Sequence, residues 1–125
     1  RFRDELGTRL FLSRGIDQCL TIYPMEHWQT LTTSLQKLSF TKSSVRKLRR
    51  FLIWSSTEME CDRHGRILIP AHLREYAGLK KEALVIGTGA TIEIWKPAVL
   101  DAANGDDESI ADLAESLDIP MDFDL

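Results

Sequence analysis

Two stretches of this chain read alike, and that likeness limits what it can fold into. Phe2-Arg3-Asp4-Glu5-Leu6-Gly7 parallels Leu73-Arg74-Glu75-Tyr76-Ala77-Gly78 at an offset of 71 residues. Downstream, Leu20-Thr21-Ile22-Tyr23-Pro24 parallels Ile92-Glu93-Ile94-Trp95-Lys96-Pro97, with the offset drifting by one or two. Each copy runs short helix, glycine stop, strand, Gly-containing turn, strand, aromatic, and then a proline that opens a helix. A repeated order of elements predicts two similar halves. In 125 residues those halves have to share one core.

The copies differ in detail but not in plan. Leu10-Phe11-Leu12-Ser13 and Cys19-Leu20-Thr21-Ile22-Tyr23 flank Arg14-Gly15-Ile16-Asp17-Gln18. Ala83-Leu84-Val85-Ile86 and Thr91-Ile92-Glu93-Ile94-Trp95 flank Gly87-Thr88-Gly89-Ala90, a hairpin signal. Between the copies lie two helical stretches. The first, about Pro24 to Leu38, sets Trp28, Leu31, Leu35 and Leu38 on one apolar seam. The second, about Lys42 to Ser55, puts Val45, Leu48 and Leu52 on one face with Phe51 beside them, and Arg46, Lys47, Arg49 and Arg50 on the rest. That basic face reads as a solvated surface before it reads as a DNA contact. The expected organisation is a first half over 1–24, incomplete at its N-terminus, an inserted helical pair over 25–55, a second half over 56–100 and an acidic tail over 101–125. In the tail, Ile110, Leu113 and Leu117 suit one short amphipathic helix, and Ile119 to Leu125 reads as a tether.

Ahead of the second copy stands Asp62-Arg63-His64-Gly65-Arg66, followed by Ile67-Leu68-Ile69-Pro70. An Asp at the first position of a tight turn and a Gly at the fourth fit a type I turn, and glycine tolerates the positive φ that a side chain resists. The expected element is a ribbon of Thr57-Glu58-Met59-Glu60-Cys61 and Arg66-Ile67-Leu68-Ile69, with Arg63 and Arg66 at its exposed tip. Guanidiniums on a rigid ribbon grip phosphates and guanine edges. Arg74, on the short helix after Pro70, is placed to converge on the same face, and Arg3 holds the matching position in the first copy. Such a tip also serves a partner's carboxylates, or merely turns a corner in water.

Charge is divided unevenly along the chain. Residues 101–125 carry nine acids and no Lys or Arg, so residues 1–100 hold all 16 basic residues against ten acids, a formal +6. A basic body with an acidic tail suits a nucleic-acid binder whose tail screens or assembles it. Other chemistries find little support. Cys61 and His64 have a C-x-x-H spacing with no second pair to complete a zinc site, so no metal is expected. Asp62, His64, Ser55 and Ser56 lie too close along one ribbon to converge on a substrate, and neither a nucleophile elbow nor a Gly-rich phosphate loop is present. The expectation is no catalysis, no cofactor and no small-molecule substrate. No apolar run approaches the ~20 residues needed to cross a bilayer, and no membrane role is expected. Cys19 and Cys61 stand in no C-x-x-C spacing, which favours reduced, buried thiols and the cytoplasm.

These segments resemble the MraZ family, bacterial regulators encoded beside cell-division and cell-wall genes. Ser13-Arg14-Gly15-Ile16-Asp17-Gln18-Cys19-Leu20-Thr21-Ile22-Tyr23-Pro24, with Trp28 beyond, is similar to the family's first-half segment. The stretches from Asp62 to Pro70 and from Leu73 to Leu79, closed by Glu93-Ile94-Trp95, are similar to its second-half signature. The resemblance covers roughly residues 1–100. It implies an α+β fold in which two AbrB-like halves form a swapped-hairpin β-barrel with peripheral helices. It also implies a DNA-binding transcriptional regulator, acting on repeats in its own promoter region as a ring-like homo-oligomer associated with the nucleoid. In that pattern Asp62 shapes the turn, Gly65 permits it, Arg66 contacts DNA, Arg63 assists, and Arg74 supports from the helix. The alternative is an assembly or antitoxin-like module whose barrel binds a protein partner. The family also has an earlier Asp-x-x-Gly-Arg turn, which the repeat offset places about ten residues ahead of Arg1. The expectation is therefore a longer native protein with a second reading head.

Overall fold

The computed structural model describes residues 9–64, 66–105 and 110–118. The first copy's short helix, Arg3, Gly65 and the tether from Ile119 lie outside the described residues. Two hairpins carry the fold. In the first, β1 (Arg9–Arg14) pairs antiparallel with β2 (Leu20–Pro24), from Leu10 opposite Pro24 to Arg14 opposite Leu20. In the second, β4 (Leu84–Gly87) pairs with β5 (Ile92–Trp95), and Thr88 donates its N–H to the Thr91 carbonyl across the turn at 2.9 Å. The repeated segments then meet at the centre of the sheet. β2 lies antiparallel to β5, with Leu20 opposite Ile94 and Ile22 opposite Ile92. That pairing relates the hairpins by an approximate two-fold, so the internal repeat becomes a symmetric sheet.

A fifth strand, β3 (Thr57–Glu60), crosses to the first hairpin and pairs with β1, giving the order β3-β1-β2-β5-β4. The chain leading into the second half thus closes one edge of the first. Among the described residues the sheet is open, with β3 and β4 at its edges, and no barrel closure is seen. The expected ribbon is also corrected: β3 finds its ladder on β1, while residues 66–70 join no strand. A strand already paired with β1 on one edge gains register from that neighbour and does not need the ribbon to hold it.

Alternation along the strands sorts the two faces. Leu10, Leu12, Leu20, Ile22, Ile92 and Ile94 point to one side and are all buried there. Against them pack Cys61 and two residues of α3 (Ala71–Ala77), Leu73 and Ala77. Each Leu or Ile so buried contributes about 1.5–3 kcal/mol. The intervening positions face the inserted helices. Phe11 stacks on Trp28 of α1 (Met25–Gln36) at 5.3 Å between centroids, and Tyr23 meets the same ring at 5.3 Å. α1 stops at Gln36, so the seam runs through buried Trp28 and Leu35 but leaves Leu38 exposed.

The second inserted stretch forms α2 (Ser43–Arg49) and continues as a π-helical turn over Arg50–Trp54. Val45 and Leu52 are buried, while Leu48, expected beside them, stays outside. Its arginines act partly as caps. Arg49 donates to the carbonyls of Leu35 and Leu38 at the end of α1, at 2.8 and 3.0 Å, and Arg46 donates to those of Phe40 and Thr41 at 2.9 Å. Helix ends leave such carbonyls unpaired, and a guanidinium answers two at once. Two further helices are found among the described residues, α4 (Pro97–Asn104), with proline in its first turn, and α5 (Ile110–Ser116). Among the described residues no helix is long and apolar enough to cross a membrane.

Candidate nucleic-acid interface

The loop after β3 is organised by one carboxylate. Asp62 Oδ1 accepts the backbone N–H groups of His64 and Arg66, each at 2.8 Å, and the Asp62 N–H donates to the Arg66 carbonyl at 2.9 Å. Asp is suited to this because its short side chain reaches back to amides two to four residues on. The second oxygen, Oδ2, accepts the Arg66 Nε–H at 2.9 Å. These bonds, the Arg66 N–H foremost, hold the Asp62 carboxyl below the ordinary carboxylate range.

Arg66 is therefore aimed. Its Nε is engaged, its side chain is 74% exposed, and its two terminal nitrogens have no partner among the described residues. A guanidinium held by one edge keeps its fork for a planar acceptor, and less rotamer entropy is lost on binding. Arg63 and His64 lie beside it, both exposed. The structure brings Asp62 and Arg66 together, a contact the sequence reading did not specify. Arg74 is exposed in the last turn of α3 and hydrogen-bonds to neither of them. Its helix ends on Gly78 at φ +69°, with the Leu79 N–H on the Arg74 carbonyl at 2.9 Å, which fixes the stop read from the repeat.

Sequence reasoning missed the group that ties this half to the first. Arg14 Nε–H donates to the Phe51 carbonyl at 3.1 Å, and its guanidinium lies 4.3 Å from the centre of the Phe51 ring and 5.6 Å from that of Tyr76. Tyr76 of α3 donates its hydroxyl to the Gly15 carbonyl at 2.7 Å. Ser13 Oγ–H donates to the Leu52 carbonyl at 2.6 Å. Both accepting carbonyls belong to the π-helical turn. A signal was available: Arg14 falls in phase with inward-facing Leu10 and Leu12, and an inward charge demands partners. A second basic surface was also missed. Lys80, Lys81 and Lys96 line an open depression of about 390 Å³ with Gly78 and Pro97, and Glu82 is the acid among them.

The two cysteines are buried, as the spacing suggested. Burial, with Glu93 and Asp17 nearby, pushes the Cys19 thiol up to about 11. Such a thiol is inert at neutral pH.

The family described as "MraZ protein, putative antitoxin-like" matches the chain twice, over residues 1–51 and 52–106. The chain belongs to the MraZ family. The double match is the internal repeat seen in the sequence and in the paired hairpins. Relatives include the "Transcriptional regulator MraZ" of Desulfitobacterium hafniense (strain Y51), 42% identical over 118 residues, covering 94% of this chain and 82% of that protein. The protein of the same name from Thermoanaerobacter sp. (strain X514) is 40% identical, covering 94% and 83%. That of Moorella thermoacetica is 46% identical over 95 residues, covering 76% and 66%. MraZ proteins are a family of regulators rather than enzymes.

Proposed function

We propose that this chain is a DNA-binding transcriptional regulator that reads promoter repeats with the Asp62–Arg66 loop. The observation that carries the reading is the Asp62–Arg66 pair, which fixes one edge of a guanidinium and leaves its fork to the solvent. Arg66 makes the base or phosphate contact, Arg63 assists from the same loop, and Arg74 supports from α3. Arg3 has the equivalent place in the first half. Lys80, Lys81 and Lys96 add phosphate contacts that hold the loop on the duplex without reading sequence.

One loop reads few bases, so specificity comes from several loops on tandem repeats. The protein therefore works as a ring-like homo-oligomer, on the promoter of a division and cell-wall gene cluster, at the nucleoid. The AbrB-like swapped barrel is the fold expected to present the loops in this way. The family's resemblance to such regulators and the basic charge of residues 1–100 support this reading. Titration of the protein with duplex DNA from upstream of its own gene, and with scrambled duplex, tests it. Preferred binding of the promoter duplex that weakens steeply with salt is expected. Equal binding of both sinks the sequence-specific reading.

A second reading, a module that binds a protein partner, draws on the "antitoxin-like" description of the family and on the acidic stretch from residue 101. Under it the protein shows no salt-dependent binding to either duplex.

A further inference from the structure

α2 and its π-helical continuation are apolar on two sides. Val45 and Leu52 face the fold, whereas Leu48, Phe51 and, from the β1–β2 turn, Ile16 line an open groove of about 540 Å³ with Ser44 and Lys47. Ile16 is 77% exposed. Apolar residues on a second, outward face give the helix a surface that a partner can bury. The groove's rim is basic: Lys47 lines it, and Arg46 and Arg50 are exposed on the same helical stretch. Its chemistry fits an apolar helix flanked by carboxylates.

The chain contains such a helix. Ile110, at the start of α5, and Leu117, one residue past its end, are 71% and 67% exposed, in helical phase with half-buried Leu113. Glu115 and Asp118 are exposed around it. Although α5 is present in the same chain, both its apolar ends and the groove stay exposed, so the two complementary surfaces do not satisfy each other within one copy. We infer that α5 of one copy docks in the Ile16–Leu48–Phe51 groove of the next. Ile110 and Leu117 replace solvent over the groove, and the acidic flank faces Lys47. The contact is head-to-tail, which closes a ring where the rotation allows. It rests on the homo-oligomer part of the proposed function and names the surfaces that build it.

The test uses two variants at exposed positions, Ile16→Glu in the groove and Leu117→Glu on the helix, with the mass in solution measured by light scattering after size exclusion. Each alone is expected to fall to the mass of one chain, 14.3 kDa, with unchanged circular dichroism. Mixed in equal amounts they are expected to form a dimer, because one copy keeps a sound helix and the other a sound groove. Leu48→Glu is the second groove variant and should also be rescued by Leu117→Glu. If both single variants keep the wild-type oligomeric mass, the docking is overturned while assembly stands. A wild-type protein that is monomeric at every concentration overturns the homo-oligomer reading itself.

Discussion

Asp62 does two things with one carboxylate: it closes the loop through backbone amides and it aims Arg66. Asp62→Asn keeps an acceptor for the N–H groups but loses the charge that holds the guanidinium, whereas Asp62→Ala loses both. Promoter affinity is expected to fall a few-fold in the first and further in the second, measured by anisotropy titration at neutral pH. The pH dependence has a definite sign. A carboxyl held below its ordinary range contributes stability that is present above that range and lost as pH falls through its lowered value. In an NMR titration the His64 and Arg66 amide resonances are therefore expected to move together in acid, and to stay put in Asp62→Asn. Cys19 runs the other way. Its thiol rises from an ordinary 9.0 to about 11, so its contribution is complete below pH 9 and fades as pH climbs between those values. Asp62 as the residue that shapes the loop was legible in the sequence because turn chemistry is local, acting over four residues. Arg14 was not, because its partners Phe51 and Tyr76 arrive from separate elements and only the fold brings them to it.

At the scale of elements, the β1–β2 turn is the joint on which the two halves meet. Gly15 is required there for space: a Cβ would stand 2.4 Å from Cys19 Sγ and 3.0 Å from the Cys19 carbonyl oxygen. Gly15→Ala is expected to cost about 1–3 kcal/mol, as overpacking does in a filled core, read from the denaturant midpoint. Arg14→Ala removes the hydrogen bonds to the Phe51 and Arg50 carbonyls and the contacts with the Phe51 and Tyr76 rings, and leaves the Phe51 carbonyl one partner short. A loss of about 1–3 kcal/mol is expected in the same measurement. The hairpins and the helix stop at Gly78 could be read from alternation and glycine placement. The open sheet and the exchange of β3 onto β1 could not, because strand order depends on which edge is free rather than on any local pattern. The seam of α1 was overextended to Leu38 for a related reason. Periodicity continued past the point where Arg49 caps the helix, and nothing within the segment marks that partner.

For the whole molecule, the sheet's approximate two-fold, the basic body and the acidic C-terminal stretch combine into the arrangement we propose, in which the body is to meet phosphate and α5 the next copy. Removing one phosphate-binding cation should lower the slope of log affinity against log salt by about 0.9. Lys80→Ala with Lys81→Ala is thus expected to flatten that slope by about 2 while leaving the preference for promoter over scrambled duplex unchanged. The central claim is narrower and rests on Arg66. The direct measurement is the affinity of Arg66→Ala for the promoter duplex at fixed salt, beside its circular dichroism and that of the wild type. The prediction is a protein folded like the wild type whose promoter affinity falls about 5- to 150-fold for every loop engaged, as removing a ~1–3 kcal/mol interaction from that loop requires. A folded Arg66→Ala protein that binds the promoter as tightly as the wild type would contradict it.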